Sequence, residues 1–322
     1  MDETNGDYNS IEVNENIHLL ESIKTFNEGS HIVNQLLLLQ ENRIAALHSN
    51  KVKLFDPSND YHQAITITLG YDEIHSICQL SNGNIILASS SQINPVDSGT
   101  VYIIKLRSDS CDLLIKFKSH HINKIDSVIA LPNNQFASCS FDLDRIIFIY
   151  SGEAPYKTNP IYSLYGYSFV YSLLYLKERN CLVALMDGEL LSVWDMKQCV
   201  SIIKGVKGCC GKNMYQIDKD RVIVGQLNMI TIVNIDECKI ERKIVELNDY
   251  GISYVNAFMK IDDNRILCGC GKGKMFIYNL NSNSIDILDL SIEDAFTDLL
   301  RLNDNECLSS EKNGTVILWK MS

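Results

Sequence analysis

Between residues 119 and 150 the chain reads SHHINKIDSVIALPNNQFASCSFDLDRIIFIY, with short apolar runs divided by polar punctuation. IDSVIAL stops at Pro132-Asn133-Asn134, a strong turn signal. QFASCS alternates Phe136, Ser138 and Ser140 with Ala137 and Cys139; FDLD makes a second turn, and RIIFIY is β-branched and aromatic. Runs of this length are short for helices and right for strands.

The same order recurs along the chain. It is found in QLLLLQENRIAALHSNKVKLF, ICQLSNGNIILASSSQINPVDSGTVYII, LLYLKERNCLVALMDGELLSVW, MYQIDKDRVIVGQLNMITIV, AFMKIDDNRILCGCGKGKMFIY and LLRLNDNECLSSEKNGTVILW. Seven copies therefore end at Phe55, Ile104, Tyr150, Trp194, Val233, Tyr278 and Trp319, between 39 and 49 residues apart. A fourth apolar run follows most copies: HQAITITL at 62–69, CDLLIKF at 111–117, CVSIIK at 199–204 and KIERKIVEL at 239–247. Four short antiparallel strands every ~40–45 residues is the period of a propeller blade. One small sheet leaves both faces bare, and stacking blades around an axis covers them.

Closure can be read from the ends. The seventh copy stops at Met321-Ser322 without a fourth run, whereas Asn16–Phe26 precedes the first copy and has no blade of its own. This N-terminal strand is expected to join the last blade, closing a ring of seven blades as one domain, residues 16–322, with no edge left to aggregate. SIEDAFTDLL at 291–300 has helical spacing and a Ser N-cap candidate, but the repeat register makes it a strand.

On these residues the chain resembles the WD40 repeat family. Ser119-His120 stands where the family has Gly-His, LPNNQFASCSFD resembles its strand-turn-strand centre, and Val193-Trp194-Asp195 and Ile317-Leu318-Trp319 stand at its terminal Trp-Asp. The resemblance spans residues 16–322 and is degenerate: one copy keeps both Trp and Asp, and Phe, Tyr, Ile or Val fill the other Trp positions. Of the family's His–Ser/Thr–Asp–Trp hydrogen-bond set, His120, Ser138 and Asp142 match in the third copy, with Tyr150 in place of Trp. The resemblance implies an all-β, seven-bladed WD40-like β-propeller with four antiparallel strands per blade, serving as a non-catalytic scaffold or adaptor for protein partners.

Composition narrows the partners. The 322 residues are 46% hydrophobic and 21% charged, enough to bury a large core. A formal charge of −11 argues against nucleic acid, whose binding needs clustered Lys and Arg, and against an anionic membrane surface. No apolar run approaches the roughly 20 residues of a membrane span. MDETNGDYNSIEVNE carries five acids and no base, the reverse of a secretory leader; residues 1–15 are expected to be an acidic, solvated tail. The expected compartment is the cytoplasm, with the 11 cysteines mostly free thiols.

Candidate binding residues follow from strand direction. In a four-stranded meander a–b–c–d, the b–c loops and the d–a connections leave from one end, and the a–b and c–d loops from the other. Seven of the 15 tyrosines fall between Tyr150 and Tyr175. Most sit where strands are expected, but Tyr165-Gly166-Tyr167 falls in a d–a connection. Tyrosine offers large contact area at little entropic cost and is enriched at binding hot spots. The expected partner-binding rim therefore comprises Tyr165, Tyr167, Phe169, His120, His121 and Tyr250, together with Asn94 and Pro95 of the long loop Ser90–Ser98. Of the two histidines, His120 is expected to be the structural hydrogen bonder and His121 to be exposed.

Other motifs resolve into structure. All seven histidines fall in residues 18–121 without ligand spacing to acids or cysteines, and Cys209-Cys210 and Cys268-x-Cys270 are too close for zinc pairs, so no metal or other cofactor is expected. Cys139, Cys268 and Cys270 read as buried small residues. Gly269-Cys-Gly-Lys-Gly-Lys274 lacks the P-loop spacing and reads as a turn. Asn313-Gly314-Thr315 is formally a glycosylation sequon, but Asn-Gly suits a type I′ hairpin turn. The acids Asp142, Asp144, Asp262, Asp263 and Asp304 fall at turns, where Asx hydrogen bonds explain them. No Ser/His/Asp set, paired carboxylates or nucleophile elbow is legible, and no small-molecule substrate is expected; a propeller hydrolase is the competing class. Trp194-Asp195-Met196-Lys197 also resembles the Trp-Asp-x-Arg/Lys pattern of cullin-ligase substrate receptors, an alternative role for the same scaffold.

Overall fold

The computed structural model describes residues 12–17, 19–27, 31–70, 72–91, 99–141, 144–188, 190–198, 200–207, 209, 213–245, 247–288, 290 and 292–321. The chain forms two compact units, residues 32–207 and residues 1–31 with 208–322.

Two N-terminal strands, β1 (Glu12–Ile17) and β2 (Leu20–Asn27), belong to the second of these units. The unit 32–207 then holds four sheets in chain order. They are β3 (Val33–Leu38), β4 (Ile44–His48), β5 (Lys51–Asp56) and β6 (His62–Thr68); then β7 (Asp72–Gln79), β8 (Asn84–Ser91), β9 (Thr100–Leu106) and β10 (Cys111–Lys118). The third sheet has β11 (Ser127–Leu131), β12 (Gln135–Cys139), β13 (Ile146–Ser151) and β14 (Tyr162–Tyr165); the fourth has β15 (Val170–Leu176), β16 (Cys181–Met186), β17 (Leu190–Asp195) and β18 (Val200–Lys207). Each is an antiparallel meander in strict sequence order.

The other unit carries three more sheets. β19 (Asn213–Gln216), β20 (Arg221–Gln226), β21 (Met229–Asn234) and β22 (Lys239–Ile244) form the fifth. β23 (Val255–Lys260), β24 (Arg265–Cys270), β25 (Met275–Asn279) and β26 (Ser284–Leu288) form the sixth. β27 (Phe296–Arg301), β28 (Glu306–Glu311) and β29 (Thr315–Met321) form the seventh, with β2 as its outer strand. The seven sheets and their four-strand order are those the repeat predicts, including the strand within SIEDAFTDLL.

The N-terminal strand does complete the last sheet. β2 runs antiparallel to β29, from Leu20 opposite Met321 to Asn27 opposite Thr315. The expected solvated tail is corrected at its end: β1 adds to the sixth sheet as a fifth, parallel strand along β26, with Glu12 opposite Ser284 and Val13 opposite Ile285. The rest of that tail, residues 1–11, lies outside the described residues. Val13 packs on the apolar cluster of the fifth and sixth sheets, and Asn14 Nδ2 donates to Asp286 Oδ1 at 2.8 Å. An edge strand with unpaired amides invites such pairing, and β1 also pairs Ile17 with Leu288 at its far end.

Inside each unit the sheets bury their faces on one another. On the first sheet, Leu47 joins Leu54 and Ile67 against Ile74, Ile85 and Tyr102 of the second. Phe117 and Val101 of the second sheet meet Val128, Phe136 and Tyr150 of the third. Ile147 and Leu164 of the third meet Val170, Leu182 and Trp194 of the fourth. In the other unit Ile223 and Ile232 meet Phe258 and Ile266, and Leu267 and Ile277 meet Phe296, Cys307 and Trp319. Each large side chain so buried contributes about 1.5–3 kcal/mol; because both faces of an inner strand are covered, burial runs continuously along it, as in β16, where CLVALM is buried at every position. Gly225 lets β20 approach β23: a Cβ there would lie 2.2 Å from the Val255 carbonyl oxygen.

The turns follow local chemistry. Asn133 and Asn134 after Pro132 both take positive φ, 57° and 52°, and Lys272-Gly273 does the same within the glycine-rich stretch, confirming a turn there. Asn313-Gly314 departs from the expected type I′ geometry, because only Gly314 has positive φ, at 92°. Glu311 O accepts from Gly314 N at 3.1 Å and Asn313 Oδ1 from Thr315 N at 2.8 Å, so the longer loop is closed by a side chain. Among the described residues no helix is long and apolar enough to cross a membrane.

Candidate functional site

Hydrogen bonds between loops establish which loops share an end. In the unit 32–207, Gly99 N donates to Asn123 O at 2.8 Å, Gly166 N to Arg145 O at 2.6 Å and Asp187 N to Phe169 O at 2.8 Å. Each joins a b–c loop to a d–a connection. At the opposite end Gly152 N donates to Asn134 O at 2.8 Å, joining a c–d loop to an a–b loop.

The end of β14 and the d–a connection after it present the aromatic residues: Tyr165, expected in the connection, is instead the last residue of β14, paired with Ile146, and Tyr167 lies in the connection. Tyr165 is 72% exposed and Tyr167 48%; Ile161 and Tyr162 are also exposed, but at the opposite end of β14. Phe169 is half-buried under Arg145, whose guanidinium lies 5.7 Å from the ring centroid and whose Nη1 donates to Tyr167 O at 3.5 Å. The backbone between the two tyrosines is pinned: a Cβ on Gly166 would lie 2.9 Å from Met186 Cε and 3.1 Å from Arg145 O. A fixed backbone lowers the entropy lost when the rings are covered by a partner.

The histidines exchange their expected roles. His120 is exposed, whereas His121 is 1% exposed. Alternation explains this: Ser119 and His121 point inward on either side of His120. His121 Nδ1 lies 2.9 and 3.1 Å from the Asp144 carboxylate oxygens, and Nε2 lies 2.8 Å from Ser138 Oγ. Phe148 meets the imidazole edge-on at 4.8 Å, and Asp144 also accepts from Ile122 N at 3.2 Å. The family-like set is therefore His121, Ser138 and Asp144, not one built on His120; Asp142 lies outside the described residues. Asp144 is correspondingly a buried histidine partner more than a turn residue. Asp262 behaves as expected, its Oδ1 accepting from Asn264 N and Arg265 N.

This set has the connectivity of a nucleophilic triad, which the sequence alone does not reveal. It carries no such chemistry, because Ser138 is fully buried and no substrate atom can reach its hydroxyl. Tyr150 stands at the tryptophan position and its hydroxyl accepts from His120 N at 3.1 Å; burial pushes its phenol up to about 12. In the seventh sheet Trp319 Nε1 donates to Ser309 Oγ at 2.8 Å. Burial raises the thiols of Cys139, Cys268 and Cys270, whose side chains are buried as expected. Trp194 is buried and Asp195 Oδ1 accepts from Lys197 N at 2.8 Å, an ordinary strand end and turn. Among the described residues no three His, Cys, Asp or Glu side chains gather as a metal site.

The remaining rim residues divide. Asn94 and Pro95 lie outside the described residues. Tyr250 is exposed on the other unit, at the end of the short 3-10 turn Leu247–Tyr250. Sequence reasoning missed its companions Leu227 and Tyr254, both more than half exposed and joined by an isolated antiparallel bridge. It also missed exposed Ile122, beside His121. Apolar residues in loops were the available signal.

No protein-family profile matches the chain, and no curated protein matches it in sequence. Among solved structures it is similar to the WD40 β-propeller domain of Doa1, at 12% identity and a TM-score of 0.70, covering 94% of this chain and 97% of that one. The fold is that of a seven-bladed, all-β WD40-type propeller.

Proposed function

We propose that this protein is a non-catalytic interaction scaffold that docks protein partners on its b–c and d–a loops, with Tyr165 and Tyr167 as the principal anchors. The observation that carries the reading is the exposed aromatic group on a pinned connection. Two exposed tyrosines flanking Gly166 offer area and hydroxyls together, the composition of binding hot spots. Propellers of this class commonly serve as such scaffolds, which supports the reading. The free thiols among the described cysteines suit a reducing compartment such as the cytoplasm.

The test is affinity capture from native lysate with the tagged full chain, quantified by mass spectrometry. Tyr165→Ala/Tyr167→Ala should lose specific partners while melting as the parent does. Retention of every partner by the double variant would discard this site.

A further inference from the structure

A second feature lies on the unit that carries the seventh sheet. A cavity of about 520 Å³ is lined by Glu293, Asp294, Glu311 and Asn313, with Thr25 of β2 at its side and Ile292 and Ile317 among its apolar walls. Three of its lining residues are acids and none is a base.

Glu311 is the unusual member. It is only 4% exposed; Oε2 accepts from Asn313 Nδ2 at 3.2 Å, while buried Oε1 has no hydrogen-bond partner. A buried carboxylate oxygen without a donor is costly. Asp294 Oδ1 accepts from Ala295 N at 2.8 Å, and Ala295 O accepts from Lys312 N at 2.9 Å, tying the d–a connection to the b–c loop around the cavity. Among the described residues no ion pair joins these acids to a base of the chain, and the neighbouring Lys312 is exposed. Burial raises the Glu311 carboxyl, Asp294 raises it further, and the Asn313 bond opposes them.

We propose that this cavity seats a cationic side chain, arginine foremost, from a partner protein. A guanidinium would donate to the carboxylates that line the cavity, Glu311 among them, and its planar fork suits carboxylates. The methylene stem would lie along Ile292 and Ile317. The site is separate from Tyr165 and Tyr167 and rests on different residues.

The experiment uses the ¹⁵N-labelled full chain at physiological salt, titrated with N-acetyl-arginine amide, with N-acetyl-citrulline amide as the neutral isostere and calcium chloride as a metal control. Arginine amide should give saturable shifts at the Asn313 side-chain amide and at the Gly314 and Thr315 amides, with citrulline amide silent. Glu311→Gln should weaken binding roughly tenfold to a hundredfold, the loss of a hydrogen bond to a charged group, and Asp294→Asn should weaken it less. Tyr165→Ala/Tyr167→Ala should leave it unchanged, whatever becomes of partner capture. Absence of saturable shifts, equal shifts with citrulline, unchanged affinity in Glu311→Gln, or calcium saturating the same resonances in place of arginine would each overturn the assignment.

Discussion

Replacing His121 by alanine tests the account of the third sheet. The imidazole is fully enclosed and holds a carboxylate on one nitrogen and Ser138 on the other. Its loss leaves Asp144 with the Ile122 amide as its short remaining contact, strands the Ser138 hydroxyl and opens a cavity beside Phe148. Leaving a buried acceptor without its donor costs about 1–3 kcal/mol and more when the acceptor is charged, so the orphaned Asp144 and Ser138 together with the cavity place this case at about 3 kcal/mol. At about 2–4 °C per kcal/mol for a large domain, the melting temperature should fall by roughly 6–12 °C. His120→Ala is the internal control: its backbone N–H makes the 3.1 Å bond to Tyr150 and survives the change, while its exposed ring makes only a long 3.5 Å contact with that hydroxyl, so the loss should stay below about 1 kcal/mol. Thermal melts and urea titrations followed by circular dichroism measure both. If His120→Ala proves as damaging as His121→Ala, the assignment of the buried set is wrong.

Three further outcomes are expected. Ser309→Ala should cost about 1–3 kcal/mol by orphaning the Trp319 indole N–H, and Ser309→Ala/Trp319→Phe should show a non-additive partial recovery in a double-mutant cycle. Gly225→Ala should destabilise measurably in urea, because its Cβ would collide with the Val255 carbonyl and the Phe258 ring; a neutral result would show that β20 can shift. Glu311→Gln should stabilise the fold at neutral pH and not at low pH. With its folded pKa raised, Glu311 contributes stability below the ordinary glutamate range that is lost as pH rises through the folded value; melts across that range that show no divergence would contradict the burial argument.

Much of the architecture was legible because a strand's signature is local. Period-two alternation, β-branched runs and Asn or Gly turns are set by neighbours along the chain, and their repetition exposed the blade period. The pairing of β2 with β29 could be inferred from an unmatched run at each end. β1 could not: with Val13 and Ile17 separated by Asn and Glu, it reads as a tail until β26 offers an edge.

The sequence alone determined the number of sheets and the order of the four strands in each. Tertiary structure decided which of two adjacent histidines turns inward, because that depends on the path of the chain from Gly99 through Ser119 and on a carboxylate 23 residues away. It also decided the acidic cavity, since Thr25 and Glu311 become neighbours only when β2 completes the seventh sheet. Contacts across hundreds of residues leave no periodic trace in the chain that makes them.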